Sequence, residues 1–272
     1  MAAIGLGVTI AEIVPVARDW RLVARAALAN YGLVPAITLG LLSLLHAPPA
    51  VAAGFLVAAV CPGAPYGPPL TGMARGNVPV AIGLMVMLAG SSTIAAPLLL
   101  HLLLPVVFGD EPLTINAGSM AGALLLTQLV PLGIGLAVRH CRPGLAERLR
   151  RPANRLSVIL NLAVFGLIAV ADFHLLASIR PIGFAAMLIL AMAAMAAGWL
   201  VGGPGGDKRK ALAFSTGVRN VSVSLVIVTA NFPGTSAVTA VVAYALVQTL
   251  VLALLAAAWG RWARSSRVSA GA

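Results

Sequence analysis

The stretch "ALAFSTGVRNVSVSLVIVTANF", residues 211–232, puts Arg219 in the middle of a run apolar enough to enter a bilayer. A charged side chain at the centre of a membrane helix costs about 2.5–3.5 kcal/mol on insertion scales, so it is not ornamental. Around it stand Ser215, Thr216, Gly217, Asn220, Ser222 and Ser224. The glycine can unwind the helix, and the polar side chains can serve freed backbone groups or a bound solute. Two readings of Arg219 stand side by side. It is a fixed positive charge that replaces a bound cation or attracts an anion, since its planar fork suits carboxylates. Alternatively, it is bonded to carbonyls of its own broken helix.

A second stretch poses the same question without a charge. "CPGAPYGPP", residues 61–69, sets Pro65, Tyr66, Gly67 and Pro68 between two apolar runs, followed by Thr71 and Asn77. Four prolines and two glycines in nine residues end any helix they meet. Elsewhere the chemistry is sparse. Asp172 and His174 read as an interfacial pair in water, His101 as a packed or pore-lining residue, and Glu12 as a group near the inner interface. No nucleophile motif, Walker loop or metal-ligand spacing is present, so neither an enzyme nor ATP drive is implied, and no cofactor or bound metal is expected.

The elements that position these residues are membrane helices. Of 272 residues 60% are hydrophobic and 9% charged, and mean hydropathy is +1.01, which excludes a soluble fold with charged outer faces. We read apolar segments at 1–16, 27–45, 50–74, 78–107, 115–139, 156–176, 180–202, 208–231 and 236–262, the third and eighth interrupted. That predicts an all-α, polytopic membrane protein of nine crossings in one transmembrane domain. The first segment is short for a span and reads as the inner part of a helix.

The net charge of +11 suggests nucleic acid only until the basic residues are placed. With nine crossings, sixteen of the eighteen fall in connections on one side, in "ARDWRLVAR", at Arg75, in "RHCRPGLAERLRRPANR", in "GGPGGDKRK" and in the tail. The opposite side holds Asp110, Glu111 and Arg180, and Arg219 belongs to neither. The positive-inside rule then makes the basic side and the C-terminus cytoplasmic, with the lipid bilayer rather than nucleic acid as partner. A multi-pass plasma-membrane location, the inner membrane of a bacterium, is expected. The same alternation puts "CPGAPYGPP" at membrane depth, where irregular backbone survives only if protein buries it or a cavity hydrates it. Two interrupted helices in separate halves point to a secondary transporter with inverted repeats.

With both breaks in view, the chain resembles the bile acid:sodium symporter family, which includes relatives of arsenite-efflux carriers. The resemblance is carried by "CPGAPYGPPLTGMARGNVPVA" and "TGVRNVSVSL", with "GLGVTI" and "ANYGLVPA" in the early helices. It implies a core of two crossing broken helices, here 27–107 with 180–262, moving against a panel, here 1–16 with 115–176. It further implies small organic anions as substrates and a missing first helix. Where the family offers a Ser-Asn pair to sodium, this chain has Gly67 and Pro68; where it offers Glu and Gln, it has Ser215 and Arg219. Asn30 and Asn220 keep family polar positions, and Ser91, Ser92, Thr93 and Thr216 are the remaining hydroxyls for a weak ion site. The expected function is a carrier of small organic anions, independent of sodium or coupled to protons, with substrate at Arg219, Asn220, Asn30, Thr71 and the Pro65–Pro68 backbone. The alternative is a non-transporting membrane sensor or lipid-binding scaffold that keeps the fold.

Overall fold

The computed structural model describes residues 1–108, 117–171, 173–174 and 179–269, and every regular element among them is a helix. Asp110 and Glu111, which the sequence places in an outer connection, and Asp172, read near the outer end of segment 156–176, lie outside the described residues. Among the described residues, six helices are long and apolar enough to cross a membrane. The other three expected crossings are 1–16, 50–74 and 156–176; the first two are each a pair of short helices, and residues 156–171 of the third form the C-terminal half of a longer one.

The first segment is not one helix. Helix α1 (Ala2–Gly7) ends before α2 (Ile10–Arg18), because Thr9 and Glu12 form a capping box that starts a new helix. Glu12 Oε2 accepts from the Thr9 amide at 2.7 Å and from its hydroxyl at 2.8 Å. Asp19 then caps α3 (Trp20–Leu44), taking the Leu22 amide at 3.1 Å, so this helix starts seven residues before the expected boundary at 27. A π-helical stretch, Leu28–Leu33, widens α3 at Asn30 and Tyr31.

The expected break divides α4 (Pro49–Ala59) from α5 (Gly67–Met73), after which α6 runs from Val78 to Phe108. Helix α7 comprises Ala117–Leu124, a second π stretch Leu125–Leu129, and Val130–Cys141. The basic connection "RHCRPGLAERLRRPANR" is itself helical: from Pro143 onward it is the start of helix α8 (Pro143–Ala171). Proline suits the first helical position, and arginine is a good helix former, so a charge run marks a polar helix here rather than a loop. Helices α9 (Pro181–Val201), α10 (Gly206–Gly217), α11 (Val221–Asn231) and α12 (Ser236–Ser269) complete the chain.

Close backbone contacts fix the arrangement. Gly5 of α1 and Gly135 of α7 face each other so tightly that a methyl group on either would stand 2.8 Å from the other's Cα. Helix α2 instead lies on α6, where Gly83 leaves room for Val16. Three of the basic connections, the first, third and seventh, meet at one end of the described structure. Lys208 pairs with Asp19 at 3.6 Å, and the Asn77 amide donates to the Asp207 carbonyl at 3.0 Å. These three connections are among those that the charge count places on one side.

Candidate functional site

The two breaks cross and are stitched together. Helix α4 ends at Ala59 and α10 at Gly217, and each end leaves carbonyls that its own helix cannot satisfy. The Arg219 guanidinium meets both. Its Nη1 donates to the Ala59 carbonyl at 3.0 Å, and its Nη2 donates to the Thr216 carbonyl. The next residue continues the seam: the Asn220 amide donates to the Cys61 carbonyl at 2.8 Å. The Asn220 side-chain nitrogen also lies 3.5 Å from the Gly63 carbonyl. Its Oδ1 caps α11 by accepting the Val223 amide at 3.4 Å. Thus the arginine of the second break serves the backbone of both. Of the two readings of Arg219, the hydrogen bonds observed are those to carbonyls, and they extend to the other broken helix as well.

Arg219 is 1% exposed, and its Nε has no partner among the described residues. Its backbone is held by Gln248 of α12, whose Oε1 accepts the Arg219 amide at 3.1 Å and whose Nε2 donates to the Arg219 carbonyl at 3.3 Å. Gln248 was not singled out from the sequence. The signal was there, since a buried amide inside "VVAYALVQTLVLALL" is as unusual in a span as a hydroxyl cluster. Gln248→Leu keeps the volume and removes both bonds, leaving two backbone groups without their partner. A loss of about 2–4 kcal/mol is expected, read by thermal unfolding in detergent.

The other expected residues fall into three groups. Pro65 and Tyr66 line a cavity of about 490 Å³ with Arg219, Asn220, Gln248 and Thr249. Its remaining wall is mostly apolar, and it reaches Val158 of α8. A smaller cavity of about 170 Å³ shares Pro65, Asn220 and Ser222 and is closed by Thr127, Asn154 and Ser157. Among the described residues, Arg219 is the only charged side chain lining either one, and no carboxylate or histidine does so.

A second group packs under the break. Gly67 lies beside Ser215, whose Cα would be 3.8 Å from a methyl group placed on the glycine. Pro68 is buried with it, and Thr71 donates back to the Gly67 carbonyl at 2.9 Å. The Ser215 hydroxyl is buried with no partner among the described residues. Asn30, from the π stretch of α3, donates to the Ala26 carbonyl at 2.9 Å and to the Thr216 hydroxyl at 3.2 Å. The residues matched to ion-binding positions in the break, Gly67 and Ser215, are therefore neighbours, but only one of them brings a side-chain oxygen.

In the third group, Ser91, Ser92 and Thr93 on α6, the two serines are engaged elsewhere. Ser91 bonds the Tyr31 hydroxyl at 2.7 Å, and Ser92 donates to the Ala89 carbonyl and accepts from Gln128 at 2.9 Å. Gln128 comes from the π stretch of α7 and also donates to the Ala89 carbonyl. Thr93 is buried, with no partner for its hydroxyl among the described residues.

The sodium bile acid symporter family model matches residues 1–198, which takes in the first break and α3 to α8 but stops short of the second break. Over 255 residues the chain is 24% identical to an uncharacterized sodium-dependent transporter, YocS, of Bacillus subtilis (strain 168), covering 90% of this chain and 75% of that protein. Helices long and apolar enough to span, a Pro-Gly break in the matched region and a second break crossing it agree with that match. The chain belongs to the sodium bile acid symporter family and is a multi-pass membrane transporter.

Proposed function

We propose that this transporter is a secondary carrier of small organic anions that works by alternating access at the crossed breaks and does not require sodium. The observation that carries the reading is the cavity of about 490 Å³, an apolar chamber whose polar end is formed by Arg219, Asn220, Gln248 and Thr249. Its size suits a small organic molecule, and its few convergent polar groups suit one polar end on an apolar body. The positive end of α11 begins at Val221 in that wall and favours an anion. The dependence on sodium in the relative's name is not carried over. No carboxylate reaches the chamber among its lining residues, and the one charge there already has the cation's sign.

Alternating access needs two bodies, and we assign them as 27–107 with 180–262 against 1–16 with 115–176. Helix α1 packs on α7 and α8, in keeping with this division, whereas α2 lies on α6. The boundary within the first segment is therefore drawn at Val8–Thr9.

A thermal-shift screen of monocarboxylates, dicarboxylates and sulfonates, run with sodium and with choline, tests the substrate class. Ala253 lines the chamber on α12, and Ala253→Trp fills the space without touching a polar group. The variant is expected to fold and to lose at least about tenfold in affinity for the best anion, worth about 1.4 kcal/mol. Unchanged affinity in the folded variant would remove the chamber as the binding site.

A further inference from the structure

Both helices that enter the crossing from the cytoplasmic end or its opposite, α4 and α10, arrive there by their C-termini. Each such end carries about half a negative charge, concentrated on its last carbonyls. Two of them brought together offset one positive charge, while the N-termini of α5 and α11, which start on the far side of each break, carry the opposite sign. The chain has seven acidic residues, at positions 12, 19, 110, 111, 147, 172 and 207, so none lies between 20 and 109 or after 207. Among the described residues no carboxylate pairs with Arg219, and its Nη1 and Nη2 sit instead on a carbonyl from each of the two C-termini.

We propose that the Arg219 guanidinium is a tethered cation: it occupies the place between the two C-termini that a coupling ion would take, and it assembles the crossing whatever salt is present. A mobile cation has little left to bind. The oxygens still unpaired nearby, on Ser215 and Asn30, are neutral, and both carbonyls that face the guanidinium are engaged. A second monovalent cation about 6 Å from the guanidinium would lose roughly a hundredfold in affinity at an effective dielectric near 20. The inference rests on the carrier reading for its meaning in coupling, while the assembly itself is independent of any substrate.

The test is thermal unfolding of the purified full chain in detergent, in sodium chloride and in choline chloride at equal ionic strength. The wild type is expected to unfold at the same temperature in both. Arg219→Ala is expected to unfold roughly 5–10 °C lower in choline. Millimolar methylguanidinium, or sodium entering the vacated place, should restore part of that loss. Saturable stabilisation of the wild type by sodium overturns the proposal, as does an Arg219→Ala loss that neither cation changes. Should Arg219→Ala fail to fold, the wild-type comparison decides alone, and Arg219→Lys, which keeps the charge, should remain indifferent to sodium. A wild type that ignores sodium yet binds and moves no anion sinks the carrier reading and leaves the tethered cation standing.

Discussion

Proteoliposomes free of sodium are expected to concentrate the best-binding monovalent anion on the positive side of an imposed membrane potential, by roughly fiftyfold per 100 mV. The figure follows from the work of moving one charge, about 2.3 kcal/mol per 100 mV, with 1.4 kcal/mol for each tenfold. Arg219 is fixed to the protein and returns with it, so nothing offsets the charge of the anion over a full cycle. The measurement is uptake of labelled anion under potassium gradients clamped with valinomycin. Adding sodium on either side should change nothing. Uptake that follows a sodium gradient, or that ignores the potential, contradicts the expected result. In a membrane negative on the side of the basic turns, the same arithmetic drives the anion outward.

The second large effect lies in the first break. Gly63 has a φ of +83°, and a methyl group there would stand 2.7 Å from Ala89 Cα and 2.8 Å from Ala89 Cβ on α6. A β-branched residue meets both the left-handed strain and the collision. Gly63→Val is expected to cost on the order of 3–5 kcal/mol, combining backbone strain with overpacking. It also displaces the carbonyl that faces the Asn220 side chain, so any folded remainder should bind anion poorly. Gly40→Val is the matched control, because nothing lies within 4 Å of a methyl group at that position. Thermal unfolding of the two variants side by side gives the comparison, and equal stability would mean that the break does not depend on Gly63.

Both breaks were legible because they rest on local chemistry. A run such as "CPGAPYGPP" ends a helix wherever it stands, and Gly217 next to Arg219 and Asn220 marks a span that cannot stay regular. The charge count separated loops by side without any knowledge of packing. It said nothing of the conformation of 143–155, a connection that is helical, with Arg150 standing beside Gly7. The π stretches in α3 and α7 had no visible signature, since "LANYGL" and "LLTQL" read as ordinary helix. Partners far apart in sequence were equally out of reach. That Asn30 would meet Thr216, or Gln128 the Ala89 carbonyl, depends on which helices pack together. The identity of Arg219 was plain, but its acceptor on α4 was not.

That acceptor also orders the assembly of the chain. The Ala59 carbonyl lies 160 residues upstream of Arg219, so synthesis delivers the acceptor long before its donor. If segments made first are placed first, the arginine of the second broken helix enters a bilayer in which the Ala59 carbonyl of α4 is already present. The costliest side chain of that helix to insert then meets its acceptor on arrival.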